Sequence, residues 1–506
     1  MKRMLLLAFA LILIGGMVFA AGSGQVRSTG PSDSIVVGMT SQPVSLDPTT
    51  TNDLASIQVN RQIYNTLLEL DENITPVPSL AERWVWEDPS RVRLFLRRNV
   101  RFHNGDILRA SDVKFSLERA AASPTVGFIT GMINRVDIIN DYEVIILLNY
   151  EFVPFLNHLA HPALFIVNER AVREQGDTYG RNPIGTGPMR FDNWVTGANL
   201  NLTRFDDHWG GAPRVRNITF QFIADAAARL IALETGEIDI NYTVAPSDVA
   251  YVNSSPNLNM LRGMNIATEY IGFNFRKTPF NDVRVRQAIN YAIDMNAVLN
   301  AAYMGTGGVA NGPINSMIWA SAADRLEPFT FNPVRARQLL AEAGYPNGFS
   351  TTLVTNDTVT RVDVAEIVQN MLAQVGIQVE VQILEWGAYL DMTARGDHDM
   401  FILAWGTPTR DPDYGLSIFH TSNFGAAGNR MFYDNPRVDA LLDQGRQETN
   451  QARREQIYIE VQQIIRNDIP WVWTQTGEHL IASRPDLRGF TVDPGGFHLL
   501  WNVYFE

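Results

Sequence analysis

The chain contains no cysteine. That excludes disulfides, thiolate metal sites and the acylated cysteine of a lipoprotein, so stability must come from a packed core. Histidine is scarce, with eight in 506 residues. His158 and His161, spaced i, i+3, could suit a metal, but without HExxH or cysteine the structural reading is favoured and no metal site is expected. Basic charge is in deficit: 41 Lys and Arg stand against 54 Asp and Glu, a net charge of −13. Such a chain is a poor partner for nucleic acid or anionic membrane surfaces. There is no G-x-S-x-G elbow, no P-loop and no dinucleotide fingerprint after a strand, which speaks against an enzyme and against a bound cofactor. Carboxylates are plentiful, and no sequence pattern singles out a glycosidase pair, so a secreted hydrolase stands as the rival class. Low-complexity tracts and internal repeats are absent too.

Long apolar runs are missing everywhere except at the start. Lys2 and Arg3 precede an apolar stretch from Met4 to Ile14, Gly15-Gly16 breaks it, and Val18-Phe19-Ala20 offers small residues at the two positions a signal peptidase reads. The stretch is short for a spanning helix of ~20 residues. Residues 1–20 are therefore expected to be a cleaved signal peptide and 21–33, AGSGQVRSTGPSD, a flexible leader. The mature protein would be a soluble periplasmic one carrying no lipid. Removing Lys2 and Arg3 takes the net charge from −13 to −15. The remaining 486 residues suggest two or three domains, since single cores stop growing at ~250–300 residues.

What remains reads as alternating strands and helices. Residues 35–39 form a short apolar strand, followed by the loop-like SQPVSLDPTT. Val92, Leu94 and Leu96 alternate with Arg91, Arg93 and Arg97, the period of a half-buried strand, with Phe95 breaking the polar face. Asn104-Gly105 signals a turn, and from Ser111 the residues Val113, Leu117 and Ala120 recur at helical spacing. Gly185-Thr186-Gly187 would admit a close backbone approach, a plain turn being preferred over a ligand contact. Residues 226–235 read as a helix stopped by Gly236, with a strand at 238–240. Asp282 can cap a helix bearing Val285, Ala288, Ile289 and Ala292 on one face. Asn332-Pro333 and Gly344 bracket another helix. A strand at 352–355, a helix at 363–375 ending at Gly376, and a strand alternating through Ile377, Val379, Val381 and Ile383 make a βαβ unit.

The run LAERWVWEDPSRVRLFLRRNVRFHNGDILRASDVKFSLERA, residues 80–120, resembles the signature segment of one family closely. That family is the extracellular solute-binding proteins of ABC importers, in the peptide/nickel branch typified by dipeptide- and oligopeptide-binding proteins. The resemblance continues through residues 182–240, 272–294 (GFNFRKTPFNDVRVRQAINYAID), 339–349 (LLAEAGYPNGF) and 385–405 (EWGAYLDMTARGDHDMFILAW), in order across the mature chain. Strand, turn and helix account for every residue of the signature run, so it names the family without marking the ligand.

The resemblance implies an α/β fold: a two-lobed clamshell of the periplasmic-binding-protein type, with mixed sheets flanked by helices and an extra subdomain in the first lobe. It implies a first-lobe core of residues 34–60, 182–270 and 482–506, an extra subdomain at 61–181, and a second lobe at 271–481. The chain would cross between lobes near 268–275 and 478–484. Solute would be enclosed by hinge closure and delivered to a membrane permease and its ATPase. The implied solute is peptide-like, oligopeptide ahead of dipeptide; an oligosaccharide is the runner-up and a nickel chelate third. A chemoreceptor or holdase role differs in partner and not in fold. A monomer is expected.

The chain departs from the family where the ligand is chosen. In dipeptide-binding members a carboxylate stands three residues after the tryptophan of the last block and holds the peptide ammonium; here that tryptophan is Trp405 and the position is Pro408. The arginine that such members place for the peptide carboxylate corresponds to Thr355, with Asp357 beside it. A dipeptide zwitterion is therefore disfavoured, since a buried ligand charge left unpaired is costly. Arg410, Asp411 and Asp413 are candidate replacements, with a solvated Asx-Pro turn the equal alternative. Thr407 lies in the same loop. Trp386, Trp405 and Tyr414 are candidates for stacking on a sugar or lining an apolar pocket, with core packing the competing reading. Ser41 follows the first strand, at a carboxyl end where α/β sheets bind ligands.

Overall fold

The computed structural model describes residues 33–425 and 427–506. The expected signal peptide and nearly all of the leader therefore lie outside the described residues. Among the described residues no helix is long and apolar enough to cross a membrane.

The fold is the expected α/β one. Among the described residues one mixed sheet of eleven strands runs through the molecule. Its order begins with Gln378–Leu384, Ser350–Asn356 and Met400–Trp405 at one edge. It continues through Asn259–Phe273 and Trp471–Ser483, then Ile240–Asn241, Ser34–Met39, Asn217–Phe222, Asn199–Arg204 and Met189–Val195. Gly308–Val309 pairs with Trp471–Ser483 beside this path.

The two long central strands explain how one sheet serves two halves. Asn259–Phe273 is antiparallel to Trp471–Ser483 along most of its 15 residues, but the register shifts between Met264 and Thr268, opposite Glu478 and Thr476. A break in a ladder bends and twists a pair locally. On one side of it the strands carry Ser34–Met39 and its neighbours, and on the other they carry the parallel unit Ser350–Asn356 with Gln378–Leu384. That unit is the expected βαβ crossover, its helix running over Val359–Ala373.

Separate cores follow from this division. One is built from Ile35, Val37, Ile218, Phe220 and Ile240, with Leu500 and Val503 of the C-terminal segment closing over it. Two more, around Val285, Ile289 and Val368 and around Tyr270, Trp471 and Tyr458, fill the other half. A fourth belongs to the signature run. Arg91–Leu96 alternates half-buried and buried as read, with Val92, Leu94 and Leu96 inward, in a four-stranded antiparallel sheet with 81–88, 133–140 and 143–148. The helix Ala110–Ala121 lays Val113, Leu117 and Ala120 on it. Phe95, on the outer face, carries the Arg83 guanidinium 3.2 Å from its ring centroid.

The local signals hold as well. Asp282 caps Val283–Ala292 by accepting from the Arg284 amide, and Asn332 caps Pro333–Glu342 by accepting from the Arg335 amide. Gly185 and Gly187 do serve a close backbone approach, but to Ile63. A Cβ on Gly185 would lie 2.1 Å from the Ile63 carbonyl oxygen.

Candidate functional site

A cavity of about 540 Å³ opens between the two halves of the sheet. Its walls are the carboxyl ends of strands. Ser34–Met39 delivers Thr40 and Ser41, and Ile240–Asn241 delivers Tyr242 and Thr243. From the other half, Ser350–Asn356 ends at Asn356 and Met400–Trp405 ends at Trp405. Carboxyl edges collect ligands because loops and helix N-termini converge there. Three helices begin at this cavity: Leu54–Ile63, with Asp53 as its cap; Val359–Ala373, whose first turn presents Thr360 and Arg361; and Trp386–Arg395, whose first residue lies on the wall.

The halves are in contact around it. Asn52 Nδ2 donates to Tyr414 Oη at 3.0 Å, and Trp386 Nε1 donates to Asp53 Oδ1 at 3.1 Å. At the rim the Asn157 amide donates to the Thr409 carbonyl and the Val153 N–H to the Arg446 carbonyl. Tyr414 is buried against the core of the signature-run subdomain, 4.8 Å from the His161 ring, and stacks on Trp405 at 5.2 Å and 7°. Burial raises the Tyr414 phenol pKa, so the ring is a neutral hydrogen-bonding contact at physiological pH.

Of the candidates read from sequence, Ser41, Trp386, Trp405 and Tyr414 reach the cavity wall. Trp405 has a buried Nε1 without a hydrogen-bond partner, and so do the Thr40 hydroxyl and the Tyr242 hydroxyl. These three atoms are sealed from solvent, so the residues line the wall through their other atoms.

The acidic candidates are placed elsewhere. Asp411 caps Pro412–Ser417 and takes both terminal nitrogens of Arg454 at 2.7 Å. Burial opposes the charge on Arg454, but Asp411 outweighs it and holds the guanidinium above its ordinary pKa. Asp413 is buried, accepts from Arg446 Nε at 3.2 Å and has His158 Nε2 4.0 Å away. Thr407 and Thr355 are fully buried behind the wall, and burial raises the Asp357 carboxyl pKa just beyond Thr355. Arg410 is half-buried in the left-handed region (φ 55°), its charge disfavoured by burial and favoured by Asp493. Pro408, in the position where the resemblance placed a carboxylate, lies on the wall. The histidine pair is structural: His158 Nδ1 bonds the Ile129 carbonyl and His161 Nδ1 accepts from the Ala163 amide. Among the described residues no cluster suited to a metal occurs.

The charges that do face the cavity were missed. Glu269 and Arg361 pair at 3.4 Å, and Glu269 also accepts from Tyr303. A carboxylate inside the apolar strand sequence IATEYIGF was a legible signal for Glu269. Asp53 is 6% exposed, and the neutral donors Thr51 Oγ1, the Ser56 amide and Trp386 bond it. Arg430 is 7% exposed, and burial disfavours its charge. No periodicity marked it, because it sits in an irregular segment.

The model of the family "Bacterial extracellular solute-binding proteins, family 5 Middle" matches residues 75–426. Glutathione-binding protein GsiB of Pectobacterium atrosepticum is 32% identical over 473 residues, 91% of each chain. Among solved structures, DppA of Helicobacter pylori in complex with the peptide STSA superposes with a TM-score of 0.88 at 27% identity, covering 94% of this chain and 98% of that one. The oligopeptide-binding protein AppA of Bacillus subtilis, in complex with a nonapeptide, gives 0.89 at 26% identity, with 94% and 100% covered. With its strand-end cavity between two halves of one sheet, this chain belongs to the bacterial extracellular solute-binding proteins of family 5.

Proposed function

We propose that the chain is the periplasmic solute-capturing subunit of an ABC importer and that its solute is a short peptide, oligopeptide ahead of dipeptide, of about tripeptide length. The observation that carries this reading is the cavity itself. Both halves wall it, and it offers a carboxylate, Asp53, and a guanidinium, Arg430, that have no oppositely charged partner within ion-pair distance among the described residues. A zwitterion is the simplest solute that neutralises both. The relatives named for glutathione, itself a tripeptide, support the same length.

The mechanism follows from the two long central strands. Their register break at 264–268, opposite 476–478, is a suitable hinge between a first lobe of residues 34–60, 182–270 and 482–506, with the subdomain 61–181, and a second lobe of 271–481. The contacts of Asn52 with Tyr414 and of Asp53 with Trp386 belong to the closed state, and an open state would lose them. Solute drives closure by binding the closed form better; moving the population from ~1:99 to ~99:1 needs ~5.5 kcal/mol of preference. The signal-peptide pattern of residues 1–20 and the absence of cysteine support a lipid-free protein in the periplasm, and a monomer is part of this reading. Calorimetry with glutathione, dipeptides, tripeptides and a pentapeptide tests the reading. Binding strongest at three residues supports it, and a sugar or nickel chelate binding where no peptide does overturns it.

A further inference from the structure

Two arginines reach the cavity, and they are not equivalent. Arg361 is already answered: Nη2 meets Glu269 at 3.4 Å and Nη1 donates to Asn356 Oδ1 at 3.0 Å. Arg430 is different. Its Nη1 is held by the Leu390 carbonyl and by Thr393 Oγ1, both on the helix Trp386–Arg395, and that grip fixes the guanidinium in place. Nε and Nη2 have no hydrogen-bond partner among the described residues, and they are not among the atoms sealed from solvent. No carboxylate of the described residues lies within ion-pair distance. Asp391 and Asp53 are near enough to favour its charge but do not touch it. The side chain is nonetheless more than nine-tenths buried and lies on the cavity wall. A guanidinium clamped at one nitrogen, with the adjacent two donors turned to an enclosed space, matches a carboxylate in bidentate geometry.

We propose that Arg430 is the specificity residue that reads a free carboxylate on the solute, replacing the arginine the family resemblance placed at Thr355. This rests on the reading of the cavity as a solute site and adds which group selects the solute. A neutral end, such as an amide, would leave the buried charge unpaired and present its own donors to donors. Arg361, neutralised by Glu269, contributes to the shape and polarity of the wall without asking for an anion.

The test compares triglycine and trialanine with the C-terminal amide of each, by calorimetry on the wild-type chain and on Arg430→Gln, Arg430→Lys and Arg361→Gln. In the wild type the acids should bind at least about tenfold tighter than the amides, as expected of a charge-assisted pair. Arg430→Gln should bring acids and amides to the same level by weakening the acids, whereas Arg361→Gln should move acid and amide together. Arg430→Lys keeps a donor for Leu390 and Thr393, so it guards against a folding defect, and it should retain part of the preference. Amides that bind the wild type as well as acids do, or an Arg430→Gln variant that weakens both alike, would overturn the proposal. If no peptide binds, a thermal-shift series with succinate and N-acetylglycine separates the two readings. Protection by these acids that Arg430→Gln abolishes upholds the anion site while sinking the peptide reading; no protection by any carboxylate sinks both.

Discussion

Charged groups on the two sides of Trp405 have opposite arrangements. Behind it, Asp411 and Asp413 are buried and answered, by Arg454 and by Arg446 with His158 close by. In front of it, Arg430 is as deeply buried and, among the described residues, has Asp391 and Asp53 nearby but no carboxylate within ion-pair distance, and Asp53 is hydrogen-bonded by neutral donors. The first set closes its own charge balance and holds the loop after Met400–Trp405 in shape. The second set forms no ion pair among the described residues between Asp53 and Arg430 or with any other charge. Burial of a charge does not separate these cases; the presence of a counter-charge does.

The contrast can be broken most forcefully at the paired set. Arg454→Met leaves Asp411 buried without its partner and should cost about 3–5 kcal/mol of stability. Chemical unfolding should show this as a lowered midpoint, while solute affinity of the folded protein stays near wild type. A midpoint that hardly moves together with lost binding would mean that Asp411 belongs to the site and not to its scaffold.

Acid should act next, on buried histidines. Burial holds His103 at about 4 and His398 and His498 at about 3, and it lowers the His158 pKa despite Asp413. Below the ordinary value of 6.5 the unfolded chain takes up protons that the folded chain refuses. Stability should therefore be complete above about pH 6.5 and fall as pH drops toward these folded values, at up to ~1.4 kcal/mol per unit for each group. Unfolding midpoints measured from pH 8 to pH 4 check the sign; a rise toward acid would contradict it.

On the cavity side the effects should appear in binding. Trp405→Ala removes the ring that stacks on Tyr414 and lines the cavity wall, and it should weaken peptide binding by about 10- to 100-fold. Calorimetry reads this directly. Smallest is Tyr414→Phe, which loses only the hydrogen bond from Asn52, about 0.5–1.5 kcal/mol of closed-state preference. Small-angle scattering without solute should show a larger radius of gyration than wild type, and an identical curve would remove that contact from the closure.

The fold was legible wherever periodicity or a cap spoke locally. Val92, Leu94 and Leu96 inward, Asp282 and Asn332 as caps, and the parallel pairing of Ser350–Asn356 with Gln378–Leu384 all stand as read. Where the sequence misled, the reason is physical. The helix expected from 363 begins at Val359, since Thr358 makes no side-chain cap bond and β-branched residues open its first turn. The strand expected at 238–240 shrinks to Ile240–Asn241. The site was only half legible. The aromatics Trp386, Trp405 and Tyr414 could be placed by their position after strands and on a helix. Asp411 and Asp413 looked available because their partners, Arg454 and Arg446, lie more than thirty residues on in the chain. Arg430 looked ordinary because a missing partner is a property of the folded molecule and leaves no pattern in a segment.

The central claim is that the charges in front of Trp405 are balanced by an enclosed peptide. The most direct measurement is mass spectrometry of what the native protein releases on denaturation after purification. Peptides of two to five residues with free termini, near one equivalent per chain, are the expected result. Release of an uncharged oligosaccharide at that stoichiometry would contradict the account, because such a solute would leave both Arg430 and Asp53 without an answer.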